Sequence, residues 1–233
     1  NDLPDIPIIR LSDPDMARMM ASYVLFAVLR YARDIPAFER AQRERRWRYL
    51  HPRAPAGIRV GVLGLGELGA YAARELARQG FDVRGWSRSK KEIAGIRCSS
   101  GLASLDDFLS QSDILVVMLP LTPHTTSLLS AERLARLPQG AAFINVSRGA
   151  IVDQAALTDA LRSGQIAEAT LDVFDREPLP PHDPLWQMDN VLITPHLASV
   201  AIPTSAARQV AENIQRAARG EPVTNQVFPE RGY

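Results

Sequence analysis

The sequence predicts an α/β fold, a doubly wound parallel sheet of the Rossmann type, on three observations. Short β-rich runs alternate with helical stretches from Ile58 onward, a glycine-rich loop joins the first run to the first of those helices, and glycines fall where helical periodicity stops. Strands alternating with helices at this spacing imply βαβ units and an open sheet covered on both faces. With 233 residues, 46% of them hydrophobic, the chain is long enough to bury a full core.

The elements follow in order. In "SDPDMARMMASYVLFAVLRYARDI", Asp13 and Pro14 are a helix start, since an N-cap carboxylate and a first-turn proline both suit unpaired amide donors. Met16, Met19, Met20, Tyr23, Ala27 and Tyr31 then recur at helical spacing, which predicts one amphipathic helix. The next stretch, "ERAQRERRWRYLHPRAP", reads as a charged arm ending in a proline-punctuated linker, whose arginines suggest a phosphate-binding patch but fit a solvated helix face or a subunit contact better. The runs "IRVGVLG", "FDVRGW", "DILVVMLP", "AAFINVS", "AEATLDVF" and "VLITP" are the predicted strands, and Gly80, Gly164 and Gly220 are predicted helix stops.

Charge and composition exclude several classes of function. Basic residues number 27 and acidic residues 26, so no global field points to nucleic acid or a membrane surface. A single cysteine, Cys98, rules out an intrachain disulfide and fits a reducing compartment, so the cytoplasm is expected. The apolar run "MMASYVLFAVL" is too short to span a bilayer. The first residue is Asn1 rather than Met, and we expect a segment to precede it in the natural protein.

The first βαβ unit carries a G-x-G-x-x-G formed by Gly64, Gly66 and Gly69, directly between a strand and a helix. Such a loop turns tightly at the first glycine, admits a pyrophosphate at the second, packs the helix closely at the third, and offers the helix N-terminal amides to the phosphates. The position that reads the ribose should follow about 20 residues later, where an acid would accept from a 2′-hydroxyl. Ser87 stands 18 positions beyond Gly69, followed by Arg88, Ser89, Lys90 and Lys91. A hydroxyl and a cluster of cations suit a 2′-phosphate instead, so NADP(H) is the expected cofactor in preference to NAD(H).

A second constellation lies downstream in "NVSRGAIVD", "TLDVFDREPLPPHDPLW" and "NVLITPHLAS". Arg148 follows one predicted strand, Asp172 and Glu177 another, and His196 a third, so a parallel sheet would bring them to one edge. This set suits reduction of a 2-oxo acid. Arg148 can pair with the substrate and polarise its carbonyl, His196 can protonate the oxygen, and Glu177 can hold and charge that imidazole. Singly, each has a blander reading as an ordinary loop residue. No metal site is expected.

The motifs "GLGELG", "LPLTPHT", "INVSRGAIVD", "LDVFDREPLP", "PLW" and "TPHLAS" together resemble the D-isomer-specific 2-hydroxyacid dehydrogenase family. Within that family "WSRSKK", "REPLPPHDPLW" and the terminal "RGY" are most similar to the glyoxylate/hydroxypyruvate reductase A group, over a stretch from about Ile8 to Tyr233. The resemblance implies Arg148, Glu177 and His196 as the catalytic trio and Asp172 beside the nicotinamide carboxamide. It implies Leu119, Pro120 and Thr125 near the adenosine half, with Glu67, Leu68, Val146, Ser147, Ala198 and Ser199 completing the cofactor's surroundings. It also implies a homodimer built through the opening helix and arm, and a small 2-oxo acid substrate.

Members of this family carry a domain-sized N-terminal part of the substrate domain, on the order of a hundred residues, before the stretch that begins here. We therefore expect 1–11 to be a remnant or hinge of that domain and 12–202 to form the dinucleotide-binding domain. Residues 203–233 are then a closing helix and tail returning toward the substrate domain. The expected activity is NADPH-dependent reduction of glyoxylate, hydroxypyruvate or a similar 2-oxo acid. A dinucleotide-responsive regulatory protein on the same fold is the alternative, disfavoured because it has no chemical need for Arg148, Glu177 and His196.

Overall fold

The computed structural model describes residues 8–11 and 14–227. The chain runs β1 (Ile8–Ile9), α1 (Pro14–Ala32), α2 (Ile35–Arg43), β2 (Arg59–Leu63), α3 (Glu67–Arg78), β3 (Asp82–Ser87) and β4 (Arg97–Ser100). It continues with α4 (Leu105–Ser110), β5 (Ile114–Val117), α5 (Ala131–Leu134), β6 (Ala141–Asn145), α6 (Gln154–Ser163), β7 (Ile166–Leu171) and β8 (Val191–Ile193). The closing elements are α7 (Pro203–Ala218) and β9 (Gln226–Val227).

Seven strands form one parallel sheet in the order β4-β3-β2-β5-β6-β7-β8. Strand order reverses between β2 and β5, which is where a doubly wound sheet opens a crevice outside its carboxyl ends. The alternation within each central strand explains why both faces are covered. On β5, Leu115 and Val117 join Phe143, Phe108 and Leu157 in one core, while Ile114 and Val116 join Val60, Ile144, Val24 and Leu76 in the other. Both sets are buried, so the strands read as continuous apolar runs.

α1 packs in the second of these cores. Its buried face is Ala17, Met20, Ala21, Val24, Ala27, Val28, Tyr31 and Ala32, an i, i+3, i+4 stripe whose small residues let it lie close to Ala72, Ala73 and Leu76 of α3. Met20, Ala27 and Tyr31 of the predicted apolar face are in it, whereas Met16, Met19 and Tyr23 are only partly buried at its margin. The N-cap assigned to Asp13 lies outside the described residues. The charged arm is partly helical: Asp34, at φ 53°, ends α1, and α2 absorbs Glu39 to Arg43. Arg30 forks onto both carboxylate oxygens of Glu39 at 2.6 Å, and Arg40 reaches Glu168 of β7 at 2.7 Å. Beyond α2 the arm is exposed, with Trp47 101% and Tyr49 76% accessible.

Gly80, Gly164 and Gly220 follow α3, α6 and α7 at positive φ, as read from the sequence. Three strands were not predicted. β4 is the edge strand "RCSS", and β1 and β9 form a separate antiparallel pair, Ile8 opposite Val227 and Ile9 opposite Gln226. α7 buries only Asn213 fully, leaving Val210 and Ile214 of its apolar positions exposed. Among the described residues no helix is long and apolar enough to cross a membrane.

Candidate active site

The carboxyl ends of β2, β3, β5, β6, β7 and β8 bring the predicted residues to one edge of the sheet. After β2, Gly64 sits at φ +119°, where a Cβ would lie 2.6 Å from the Met118 carbonyl oxygen. Gly66 caps α3 and a Cβ there would meet nothing within 4 Å, so open space adjoins the first amides of that helix. A Cβ on Gly69 would lie 1.8 Å from the Gly64 carbonyl oxygen, so α3 approaches its own entry loop to within backbone contact. Each glycine thus has a separate reason, and together they leave an anion-sized approach to a helix N-terminus. Glu67 is exposed in the first turn, and Leu68 packs part-buried against the α1 core. Gly69→Ala is expected to cost about 2–3 kcal/mol through overpacking and to weaken dinucleotide binding sharply. Thermal melting and a nucleotide titration check this, and an unchanged Tm would contradict the geometry.

Ser87 ends β3 buried, and its hydroxyl donates to the Ser89 carbonyl at 2.7 Å. That bond shapes the turn that presents the exposed Arg88, Ser89 and Lys90. Lys90 pairs with Glu92 at 3.1 Å, both more than 80% exposed. An ion pair so exposed contributes little.

Beyond β5, Leu119 is buried and Pro120 exposed. Thr125 closes the loop by accepting from the Thr122 amide at 2.7 Å and donating to the Pro120 carbonyl at 2.7 Å. At the end of β6 the buried Asn145 accepts from the amide and hydroxyl of Ser147 at 3.1 and 2.9 Å, and its amide donates to the Arg148 carbonyl at 3.1 Å. This side chain fixes the turn through Val146 and Ser147 that projects Arg148. It escaped the sequence reading, although a lone amide closing the apolar run "AAFIN" was the available signal. Gly149 then packs so tightly that a Cβ would lie 1.9 Å from the Phe174 carbonyl carbon, which locks the Arg148 loop to the loop after β7.

In that loop Glu177 uses one oxygen to accept from the Phe174 amide at 2.9 Å and the other to meet His196 Nδ1 at 2.7 Å. A carboxylate accepts, so Nδ1 carries the hydrogen and Nε2 is not the nitrogen engaged by Glu177. Burial pushes the Glu177 carboxyl up. Hydrogen bonds from His196 and the Phe174 amide, with the charges of His196 and Arg148, outweigh this and hold it below the usual carboxylate range. His196 takes a left-handed backbone, φ 54°. Asp172, 1% exposed, grips the strand end that carries it. Its carboxylate accepts from Thr194 Oγ1 at 2.6 Å and from the Leu197 and Ala198 amides at 2.9 Å each. Ala198 is buried, and Ser199 donates to the Met16 carbonyl at 2.9 Å.

A cavity of ≈ 340 Å³ lies elsewhere, at the opposite edge of the sheet between Tyr31, Arg40, Asp113 and Glu168, remote from these loops. The strand ends, not that cavity, carry the convergent chemistry.

The family model for the D-isomer specific 2-hydroxyacid dehydrogenase NAD binding domain matches residues 25–198. The chain belongs to that family. Among curated members of the D-isomer specific 2-hydroxyacid dehydrogenases, the glyoxylate/hydroxypyruvate reductase A of Serratia proteamaculans is 40% identical over 228 residues, 98% of this chain and 73% of the relative. Among solved members, a dehydrogenase from Xanthobacter autotrophicus Py2 in complex with NADPH and MES is 69% identical at a TM-score of 0.98, covering 100% of this chain and 96% of that one. An NADPH-dependent glyoxylate/hydroxypyruvate reductase from Sinorhizobium meliloti, in complex with NADP and sulfate, is 38% identical at a TM-score of 0.92, covering 99% of this chain and 74% of that one.

Proposed function

We propose that this protein reduces a small 2-oxo acid, of the size of glyoxylate or hydroxypyruvate, to the 2-hydroxy acid with NADPH. One observation carries the reading: His196 Nδ1 is held 2.7 Å from Glu177, leaving Nε2 free to donate at the edge where Arg148 and the glycine loop also emerge. When bound, the nicotinamide supplies the hydride. Arg148 pairs with the substrate carboxylate and draws electron density from the carbonyl. His196 Nε2 gives a proton to the oxygen as it gains charge, and Glu177 stabilises the imidazolium beforehand. Asp172, already engaged by the loop after His196, lies beside the nicotinamide carboxamide in this reading.

The cofactor rests on chemistry this chain shows. The N-terminus of α3 stands open at Gly66, and Arg88 with the neighbouring lysines replaces the acid that would repel a 2′-phosphate. The relatives solved with NADPH or NADP support the same choice. Leu119, Pro120 and Thr125 line the adenosine half, and Glu67, Leu68, Ser89, Val146, Ser147, Ala198 and Ser199 complete the surroundings. The exposed Phe26, Leu29, Ile35, Trp47 and Tyr49 support a homodimer through α1 and the arm, and the single cysteine supports a cytoplasmic setting.

The experiment is a nicotinamide fluorescence titration together with NADPH oxidation against a panel of 2-oxo acids. NADPH should bind at least about tenfold tighter than NADH, and oxidation should require a 2-oxo acid. Tight NADPH binding with no oxidation by any member of the panel would point instead to a dinucleotide-responsive regulator.

A further inference from the structure

α1 touches the support of His196 at two points, and the hydrogen bonds there have a fixed direction. The Tyr23 hydroxyl lies 2.6 Å from Thr194 Oγ1, which lies 2.6 Å from Asp172 Oδ1. A carboxylate accepts, so the single hydroxyl hydrogen of Thr194 goes to Asp172, and in the other contact Tyr23 must donate. Burial, and after it the charge of Asp172, hold the Tyr23 phenol above its ordinary range against the opposing pull of the Thr194 contact, so it remains a donor. The order is Tyr23 to Thr194 to Asp172.

Asp172 in turn holds three consecutive amides, His196 through its main-chain oxygen and Leu197 and Ala198 through its carboxylate, all at 2.9 Å. Ser199 at the far end of the segment donates to the Met16 carbonyl, one helical stretch before Tyr23. Residues 194 to 199 are therefore clamped on α1 at both ends and on Asp172 between them. The φ of 54° at His196 is a conformation that a non-glycine residue keeps only when its surroundings over-determine it.

We propose that Tyr23 is a positioning residue for His196, acting through Thr194 and Asp172 to hold the segment that aims the imidazole at Glu177. It touches no reacting atom. The proposal rests on the 2-oxo acid reductase reading only for its kinetic consequence. The bland account of Tyr23 is that a half-buried phenol has taken the nearest hydroxyl, and that account predicts no effect at residues 196 to 198.

The test is Tyr23→Phe, which keeps the ring and its edge-on contact with Phe26, whose centroid is 6.2 Å away. Amide hydrogen exchange at Leu197 and Ala198 should rise roughly tenfold while amides of β2 and β5 stay protected. Turnover of the 2-oxo acid should fall by about the same factor. Thr194→Val should reproduce and exceed both effects, and adding Tyr23→Phe to it should change nothing further, as expected of residues in one chain. Thr194→Ser retains the hydroxyl and should stay near the unmutated values. Unchanged exchange at Leu197 and Ala198 in Tyr23→Phe overturns the proposal, as does exchange raised everywhere or strict additivity of the two substitutions. Should the unmutated protein reduce no 2-oxo acid, the functional reading falls, and the exchange and coupling measurements still decide the role of Tyr23.

Discussion

His196→Ala is expected to lower 2-oxo acid reduction by roughly 10²–10⁴-fold while leaving NADPH affinity close to that of the unmutated protein. The reason lies in the division of labour at the sheet edge. In the proposed reading the phosphates and the adenosine half are met by the loops after β2, β3 and β5, whereas the His196 ring, after β8, is turned to Glu177. Glu177 is held below the usual carboxylate range and is therefore negative at neutral pH, where it favours the charged imidazole. Glu177→Gln removes that charge from beside the imidazole and should lower turnover as well, by less than His196→Ala does. Steady-state rates, with a parallel fluorescence titration, make the measurement. Near-normal reduction by His196→Ala would mean that the proton comes from another group.

Arg88→Asp should reverse the cofactor preference. A charge-assisted bond to phosphate contributes about 1.5–3 kcal/mol, equivalent to a factor of ten or more in affinity. The substitution removes that bond, repels the 2′-phosphate, and offers the 2′-hydroxyl of NADH an acceptor. Lys90 contributes less, because it shares its charge with Glu92 at the surface. Dissociation constants for both nucleotides, before and after substitution, are the test. Equal affinities in the unmutated protein would remove the basis for assigning a phosphate site to this turn.

The parallel sheet was legible because strands buried on both faces have to be apolar throughout, and "DILVVMLP" and "AAFINVS" leave little choice of element. The glycine loop was legible because close approach admits no Cβ at Gly64 or Gly69. What escaped notice depends on long-range pairing. "RCSS" becomes β4 only because β3 offers it an edge, and the two-residue β1 and β9 exist only as each other's partners. The Ser87 hydroxyl bonds the carbonyl two residues on, and which way a serine hydroxyl turns is a rotamer question that spacing cannot answer. Tyr23 was read as one more apolar position on the opening helix. Its partner Thr194 lies 171 residues away, and the pattern gives no notice of such a contact.

Arg148, Glu177 and His196 follow three adjacent parallel strands, β6, β7 and β8. Neighbouring strands stand about 4.8 Å apart, and that spacing is set by backbone hydrogen bonds rather than by the side chains at the edge. The site is therefore built on a ruler with fixed graduations. The strands that lead to its outer members stand about 10 Å apart, a span set by the sheet itself. Fine adjustment is left to the lengths of the side chains and to the loops that carry them. Asn145 and the Gly149 approach to Phe174 remove the freedom of two of those loops, and Asp172 removes that of the third. Any change in the size of the bound acid must then be met by residues that close over this edge, because the edge itself has no coordinate along which to widen.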